Sequence, residues 1–224
     1  MSRSLLRALV AELIGTFALV FAGAGAIMVD AKTGALGHVG VAISFGLVIM
    51  VMIYALGHIS GAHFNPAVTF AFALTRHFPW PRVFLYWTAQ LAGAVIAALI
   101  LRGSLGDIAD VGATTPSGSA GQSFLWELIL TVFLMLVIMA VATDTLAVGE
   151  AAAIAIGGTV GLDALFGGPI SGASMNPARS LGPGLVSGEL SSIWVYLLAP
   201  LAGAAIAGIG YQLLRSEASD AVGT

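Results

Sequence analysis

The strongest constraint on this chain is a phrase that occurs twice. Residues 59–69 read Ile59-Ser60-Gly61-Ala62-His63-Phe64-Asn65-Pro66-Ala67-Val68-Thr69, and residues 170–180 read Ile170-Ser171-Gly172-Ala173-Ser174-Met175-Asn176-Pro177-Ala178-Arg179-Ser180. The shared frame is Ile-Ser-Gly-Ala-x-x-Asn-Pro-Ala; it returns 111 positions later with seven of nine positions identical. One Asn-Pro marks many ordinary turns. A nine-residue frame repeated half a chain later marks duplication. Two further blocks keep the same order. Ala11-Glu12-Leu13-Ile14-x-Thr16 is answered by Trp126-Glu127-Leu128-Ile129-x-Thr131. Ala89-Gln90-Leu91-Ala92-Gly93-Ala94-x-Ile96-Ala97 is answered by Ala199-Pro200-Leu201-Ala202-Gly203-Ala204-x-Ile206-Ala207. The copies cover about 5–102 and 123–214 within a single domain of 1–224.

What each copy can form follows from its apolar runs. A spanning helix needs about 20 mostly apolar residues. Six runs approach that standard: roughly Leu5–Val29, Val39–Gly57, Arg82–Leu101, Phe124–Thr143, Ala151–Phe166 and Ile193–Leu214. Only 8% of the 224 residues are charged, against roughly 25% in a soluble domain, and mean hydropathy is +1.01. This is the composition of an integral membrane protein. The first run is too long for a signal peptide and is read as a retained span. A net charge of −3 without a Lys/Arg cluster argues against a nucleic-acid partner. Cys is absent, which excludes disulfides, thiolate metal sites and Cys nucleophiles.

Two apolar runs, Pro66–Leu74 and Pro177–Val186, are too short to span. Each opens with Pro, tolerated in a first helical turn, after Asn, a strong N-cap. They are read as re-entrant half-helices, whose non-helical loops are tolerable at membrane depth only beside protein or a watery cavity. Each copy then holds three crossings and one half-helix. Three is odd, so the second copy sits upside down, an inverted repeat with the two half-helix N-termini meeting near the middle. The expected fold is an all-α membrane protein of six transmembrane helices and two half-helices. Arg3, Arg7, Arg76, Arg82 and Arg215 fall on one side, Lys32 and Arg102 on the other. The positive-inside rule places both termini in the cytoplasm of a multi-pass cell-membrane protein. Loop 103–122, rich in Gly, Ser and Thr, is read as a flexible outside connector, and Thr143 to Glu150 as a short connection. Gly15, Gly23, Gly25, Gly93, Gly203, Gly208 and Gly210 are read as small residues that let helices approach closely.

Each half-helix N-terminus carries roughly half a positive elementary charge. Two converging ends repel cations, and Asn65 and Asn176 are expected to cap the half-helices and donate amide N–H groups to a permeating molecule. With two Asn-Pro-Ala motifs, Asn65-Pro66-Ala67 and Asn176-Pro177-Ala178, the second followed by Arg179, the chain resembles the major intrinsic protein family of aquaporins and aquaglyceroporins. The resemblance runs from Glu12 to about Gly210 and implies a passive pore in each subunit of a homotetramer. Arg179 is costly in an apolar segment unless it faces a cavity or partner; in the outer vestibule it adds donors and a charge that opposes cations and protons.

Counting from the motifs, the resemblance assigns the outer filter to Phe45, Ala164, Ala173 and Arg179. Water-selective members generally have His at the position of Ala164 and a bulkier polar residue at that of Ala173. Two methyl-sized residues predict a wider, less polar constriction. Aquaglyceroporins usually have a second aromatic at the position of Ala173 and an Asp at that of Ser180, and the chain departs from them at both. Ala142-Thr143-Asp144-Thr145, Gly168-Pro169-Ile170-Ser171-Gly172 and Tyr196-Leu197 are most similar to nodulin-like intrinsic proteins and their bacterial relatives. That subgroup implies small uncharged polyols and hydroxylated metalloids, namely glycerol and arsenous, boric or silicic acid, and urea is added as a solute of the same size and neutrality.

Glu12 and Glu127 could signal proton coupling, since a membrane carboxylate is a functional candidate. The favoured reading is support: each accepts N–H groups of its half's re-entrant loop. His63 is a candidate for the cytoplasmic half of the pore. His38, His58 and His77 are read as loop or interface residues. Asp163, beside Ala164, is placed near the outer mouth, where attraction of solute is the lesser reading. No His pair has metal-ligand spacing with a carboxylate, so no metal and no cofactor is expected. The leading function is a passive channel for water and small uncharged solutes in the lipid bilayer, excluding ions and protons. A water-selective aquaporin is the alternative. An ion-coupled secondary transporter ranks lower, because the pore centre offers only amides and backbone. No nucleophile–base constellation supports an enzyme.

Overall fold

The computed structural model describes residues 2–143 and 151–215. Most of the Thr143–Glu150 connection, with Asp144 and Thr145, lies outside the described residues. Eight α-helices follow one another there: α1 (Arg3–Thr33), α2 (Gly37–Ser60), α3 (Pro66–Leu74), α4 (Trp80–Leu105), α5 (Ala120–Thr143), α6 (Ala152–Ser171), α7 (Pro177–Ser187) and α8 (Ile193–Leu214). Six are long and apolar enough to cross a membrane, while α3 and α7 are too short. Large apolar side chains such as Phe84, Leu99, Leu162 and Leu198 are more than half exposed, which lipid tolerates because its tails are as apolar as leucine.

The repeated frame sets three features in each half. Its glycine ends a spanning helix: Gly61 and Gly172 take φ of 87° and 89° and donate their N–H groups to Gly57 and Gly168, both at 2.9 Å. Glycine adopts this left-handed cap without the steric penalty of a Cβ. Its asparagine caps the half-helix, and its proline occupies the first helical position.

Packing follows the duplication. Helix α1 packs on α4 as α5 packs on α8, α2 pairs with α6, and each half-helix leans mainly on the last helix of the other repeat, α3 on α8 and α7 on α4. A Cβ on Gly93 would lie 2.2 Å from the Leu13 carbonyl oxygen, and one on Gly203 would lie 2.4 Å from that of Leu128. On α2 and α6, Gly46 and Gly157 meet so closely that a Cβ on either would strike the other's carbonyl, at 2.7 and 2.6 Å. Backbones touch where larger residues would hold them apart.

Several expectations change. The fifth span runs past Phe166 to Ser171 with Pro169 inside it, so a glycine-rich sequence hides a longer helix. Gly210 has nothing within 4 Å of its Cβ position and is not a packing glycine. Gly15 makes room for the Phe64 ring of the re-entrant loop rather than for a helix, and Gly23 for the Phe45 ring of α2. Loop 103–122 is tied down, not a free connector. Its residues Ala109, Asp110, Val111 and Gly112 form a left-handed turn, with Val111 fully buried. Ser117 donates its N–H and Oγ to the Ile170 carbonyl at 3.2 and 2.7 Å, and Arg102 binds the Val186 carbonyl and Asp107. Polar loop atoms find partners on α6 and α7, which composition does not reveal.

Candidate functional site

The two frames meet beside a cavity of about 130 Å³, bordered by Asn65 and Asn176 and, further along, by Phe45, Ala164, Ala173 and Arg179. One wall is aliphatic, including Leu19, Ile49, Leu134, Ile138 and Val160. The other is the backbone of the two loops.

That backbone is held in an unusual shape. Ala62, Phe64, Ala173 and Met175 have φ of 51°, 49°, 42° and 53°, matched pairwise by the repeat. Left-handed non-glycine residues cost roughly 1–2 kcal/mol each. Two buried carboxylates hold them. Glu12 accepts from the His63 and Phe64 N–H groups at 2.9 and 2.7 Å, and from Gln90 Nε2 at 2.8 Å. Glu127 accepts from Ser174 and Met175 N–H at 2.9 and 2.7 Å, and from Ser171 Oγ at 2.7 Å. In a trans peptide the C=O points opposite to the N–H. The carbonyls of Ala62, His63, Ala173 and Ser174 therefore point away from the glutamates. They form a series of acceptors on the loops that border the cavity.

The asparagines do more than cap. Asn65 Oδ1 accepts from Ala67 N–H at 2.9 Å, and Asn176 Oδ1 from Ala178 and Arg179 N–H at 3.0 and 3.2 Å. Each Nδ2 crosses to the opposite loop: Asn65 donates to the Met175 carbonyl at 2.8 Å and Asn176 to the Phe64 carbonyl at 2.9 Å. One amide hydrogen of each is thus engaged in a reciprocal lock, and one remains for a solute. Neither crossing bond was foreseeable from the motif.

Arg179 is 2% exposed. Its Nη1 donates to the Gly112 carbonyl at 2.8 Å, and its Cζ stands 5.0 Å from the Phe45 ring centroid, within cation–π range. Its Nε and Nη2 have no acceptor among the described residues. A buried donor without a partner is costly, so a passing hydroxyl or water gains where the protein supplies no bond. Behind Arg179, Ser180 Oγ lies 2.7 Å from Thr114 and 2.5 Å from Ser174.

His63 borders the cavity with its ring clamped between Phe72, Phe78 and Tyr86, at 4.9, 4.9 and 5.2 Å, and bonded to Thr69 Oγ1 at 3.0 Å. Asp163 is not at a mouth. It is fully buried, off the cavity lining, and neither carboxylate oxygen has a partner among the described residues. Gly112 and Thr114 support the site without a sequence signal of their own; Gln90 lies inside a repeated block, and Gly23 is legible in the sequence only as a small packing residue. No metal-binding cluster of acid and His side chains occurs among the described residues.

Comparison with known proteins places this arrangement. A family model described as major intrinsic protein matches residues 1–211. The chain is 52% identical over 216 residues to the aquaporin NIP1-4 of Oryza sativa subsp. japonica, covering 96% of this chain and 79% of the relative. It is 50% identical over 212 residues to nodulin-26 of Glycine max, covering 94% and 78%. The structure of the aquaglyceroporin from Plasmodium falciparum superposes with a TM-score of 0.84 at 28% identity, covering 97% of this chain and 99% of that one.

Proposed function

Since this chain belongs to the major intrinsic protein family, we propose that it is a passive channel for water and small uncharged solutes, with a filter wide enough for polyols, urea and metalloid hydroxides such as arsenous or boric acid. The observation that carries the solute class is the pair of methyl-sized residues, Ala164 and Ala173, bordering the cavity with Phe45 and Arg179. Phe45 offers an apolar face to carbon-bound hydrogens. Arg179 offers donors to hydroxyl oxygens, and the carbonyls of Ala62, His63, Ala173 and Ser174 accept hydroxyl hydrogens in succession. A neutral, hydroxylated molecule exchanges its water for these bonds at each step.

Ions lack that exchange. A cation meets the buried guanidinium and then two half-helix N-termini, capped by Asn65 and Asn176, whose dipoles present positive charge. The direct polar contacts offered along the conduit are amides, carbonyls, the ring of His63, clamped among aromatics, and one permanent cation. This supports facilitated diffusion and not coupled transport. The relatives named aquaporin and aquaglyceroporin support the same class. A homotetramer with cytoplasmic termini in a cell membrane completes the proposal. It rests on family resemblance and on the distribution of arginines.

Stopped-flow light scattering on proteoliposomes tests it. Fast shrinkage in an impermeant osmolyte should be followed by re-swelling in glycerol, urea or arsenous acid. Fast water flux without uptake of any of these would overturn the solute class. Accumulation of solute against its gradient would overturn the channel.

A further inference from the structure

Pro169 sits inside α6, and proline has no N–H for the carbonyl four residues earlier. That carbonyl belongs to Leu165. Another helix supplies the missing donor: His38 Nε2, in the first turn of α2, lies 2.6 Å from the Leu165 oxygen. A carbonyl can only accept, so Nε2 carries the proton. The site is shaped for the ring, since a Cβ on Gly168 would come within 2.9 Å of the His38 Cε1.

One end of this bond sits beside the filter and the other two helical turns from it. Leu165 directly follows Ala164, and Phe45 lies two turns beyond His38 on the same face of α2. The helices touch again at the glycine contact of Gly46 with Gly157. One contact acts as a pivot and the other as a latch. The latch lies beyond the approach of Gly161 to Gly46 and Ala42, so its loss would be felt at the ends that carry His38 and Leu165.

We infer that His38 is a positioning residue for the filter: its ring replaces the helical hydrogen bond that Pro169 deletes, and so sets the span between Phe45 and Ala164 and the largest solute that passes. This rests on the reading of those residues as the filter.

The test is the flux of polyols of graded length through proteoliposomes. His38→Ala should raise the ratio of five-carbon polyol to glycerol permeability about fivefold, the scale of one net hydrogen bond. His38→Gln, whose amide can donate to the same carbonyl, should keep the parent ratio. Pro169→Ala restores an N–H to Leu165, so in that background His38→Ala should change the ratio less than about twofold. An unchanged ratio in a His38→Ala protein that inserts normally overturns the inference, as does an equal change in both backgrounds. Should His38→Ala fail to insert, recovery by added Pro169→Ala supports the latch, and no recovery overturns it. A parent protein that passes only water sinks the solute class instead. The latch is then read from water flux, and a His38→Ala protein with unchanged water flux overturns it.

Discussion

The guanidinium carbon of Arg179 lies 5.0 Å from the ring centroid of Phe45, so a half-helix of one repeat and a spanning helix of the other close one opening between them. The Gly112 carbonyl holds the guanidinium from behind, and Gly23 leaves room for the ring. Removing the charge while keeping the segment apolar isolates its role. Arg179→Val should raise proton or sodium leak about tenfold or more, because one charge in a buried site exceeds the ~1.4 kcal/mol that a factor of ten requires. A pH-sensitive dye trapped in proteoliposomes reads this directly. Leak equal to that of the parent would place cation exclusion at the half-helix termini alone.

Ala164 borders the cavity through a single methyl group. Ala164→His should lower glycerol permeability by about tenfold while water permeability falls less than about threefold, since pore width and lining donors set selectivity. Equal loss of both would show that this position does not decide size.

Asn65 and Asn176 exchange bonds with each other's loop at 2.8 and 2.9 Å. Each Asn→Ala change removes a cap and a crossing bond, a loss of about 1–3 kcal/mol. Once one bond is gone the loops can part, so the double variant should cost less than the two singles together. Thermal unfolding of the purified variants gives the cycle. Strict additivity would reduce both residues to independent caps.

Glu127 accepts three hydrogen bonds from the loop 171–175, all from donors. Glu127→Gln turns one acceptor atom into a donor that faces an N–H. The expected loss is about 1–3 kcal/mol of stability, with water and solute flux falling together. A variant of full stability that loses only solute flux would point to a direct part in permeation.

Asp163 is fully buried with both oxygens unpaired among the described residues. A buried carboxyl without partners is a cost. Asp163→Asn should therefore unfold at a higher temperature and leave flux unchanged. A lower melting temperature would show that the carboxyl has work of its own between α5 and α6.

Much of this protein was legible in its residues. Hydropathy runs set six spans because a bilayer admits only segments that bond their own backbone. The doubled Asn-Pro-Ala frame set two half-helices, because Asn caps and Pro starts a helix wherever the chain allows. Glu12 and Glu127 stood out as buried charges in matched places. These are local properties, and a sequence states them directly.

Tertiary structure alone decided the rest. That Asn65 donates to Met175, that Gly112 holds Arg179, and that His38 completes Leu165 are bonds between residues 110, 67 and 127 positions apart. A polar loop such as 103–122 looks like a connector until its carbonyls and hydroxyls meet α6 and α7. Asp163 looks like a mouth residue until its helix face turns it inward. Local sequence determines which groups need partners; only the packed fold determines which partners they reach, because that depends on where distant backbones come together.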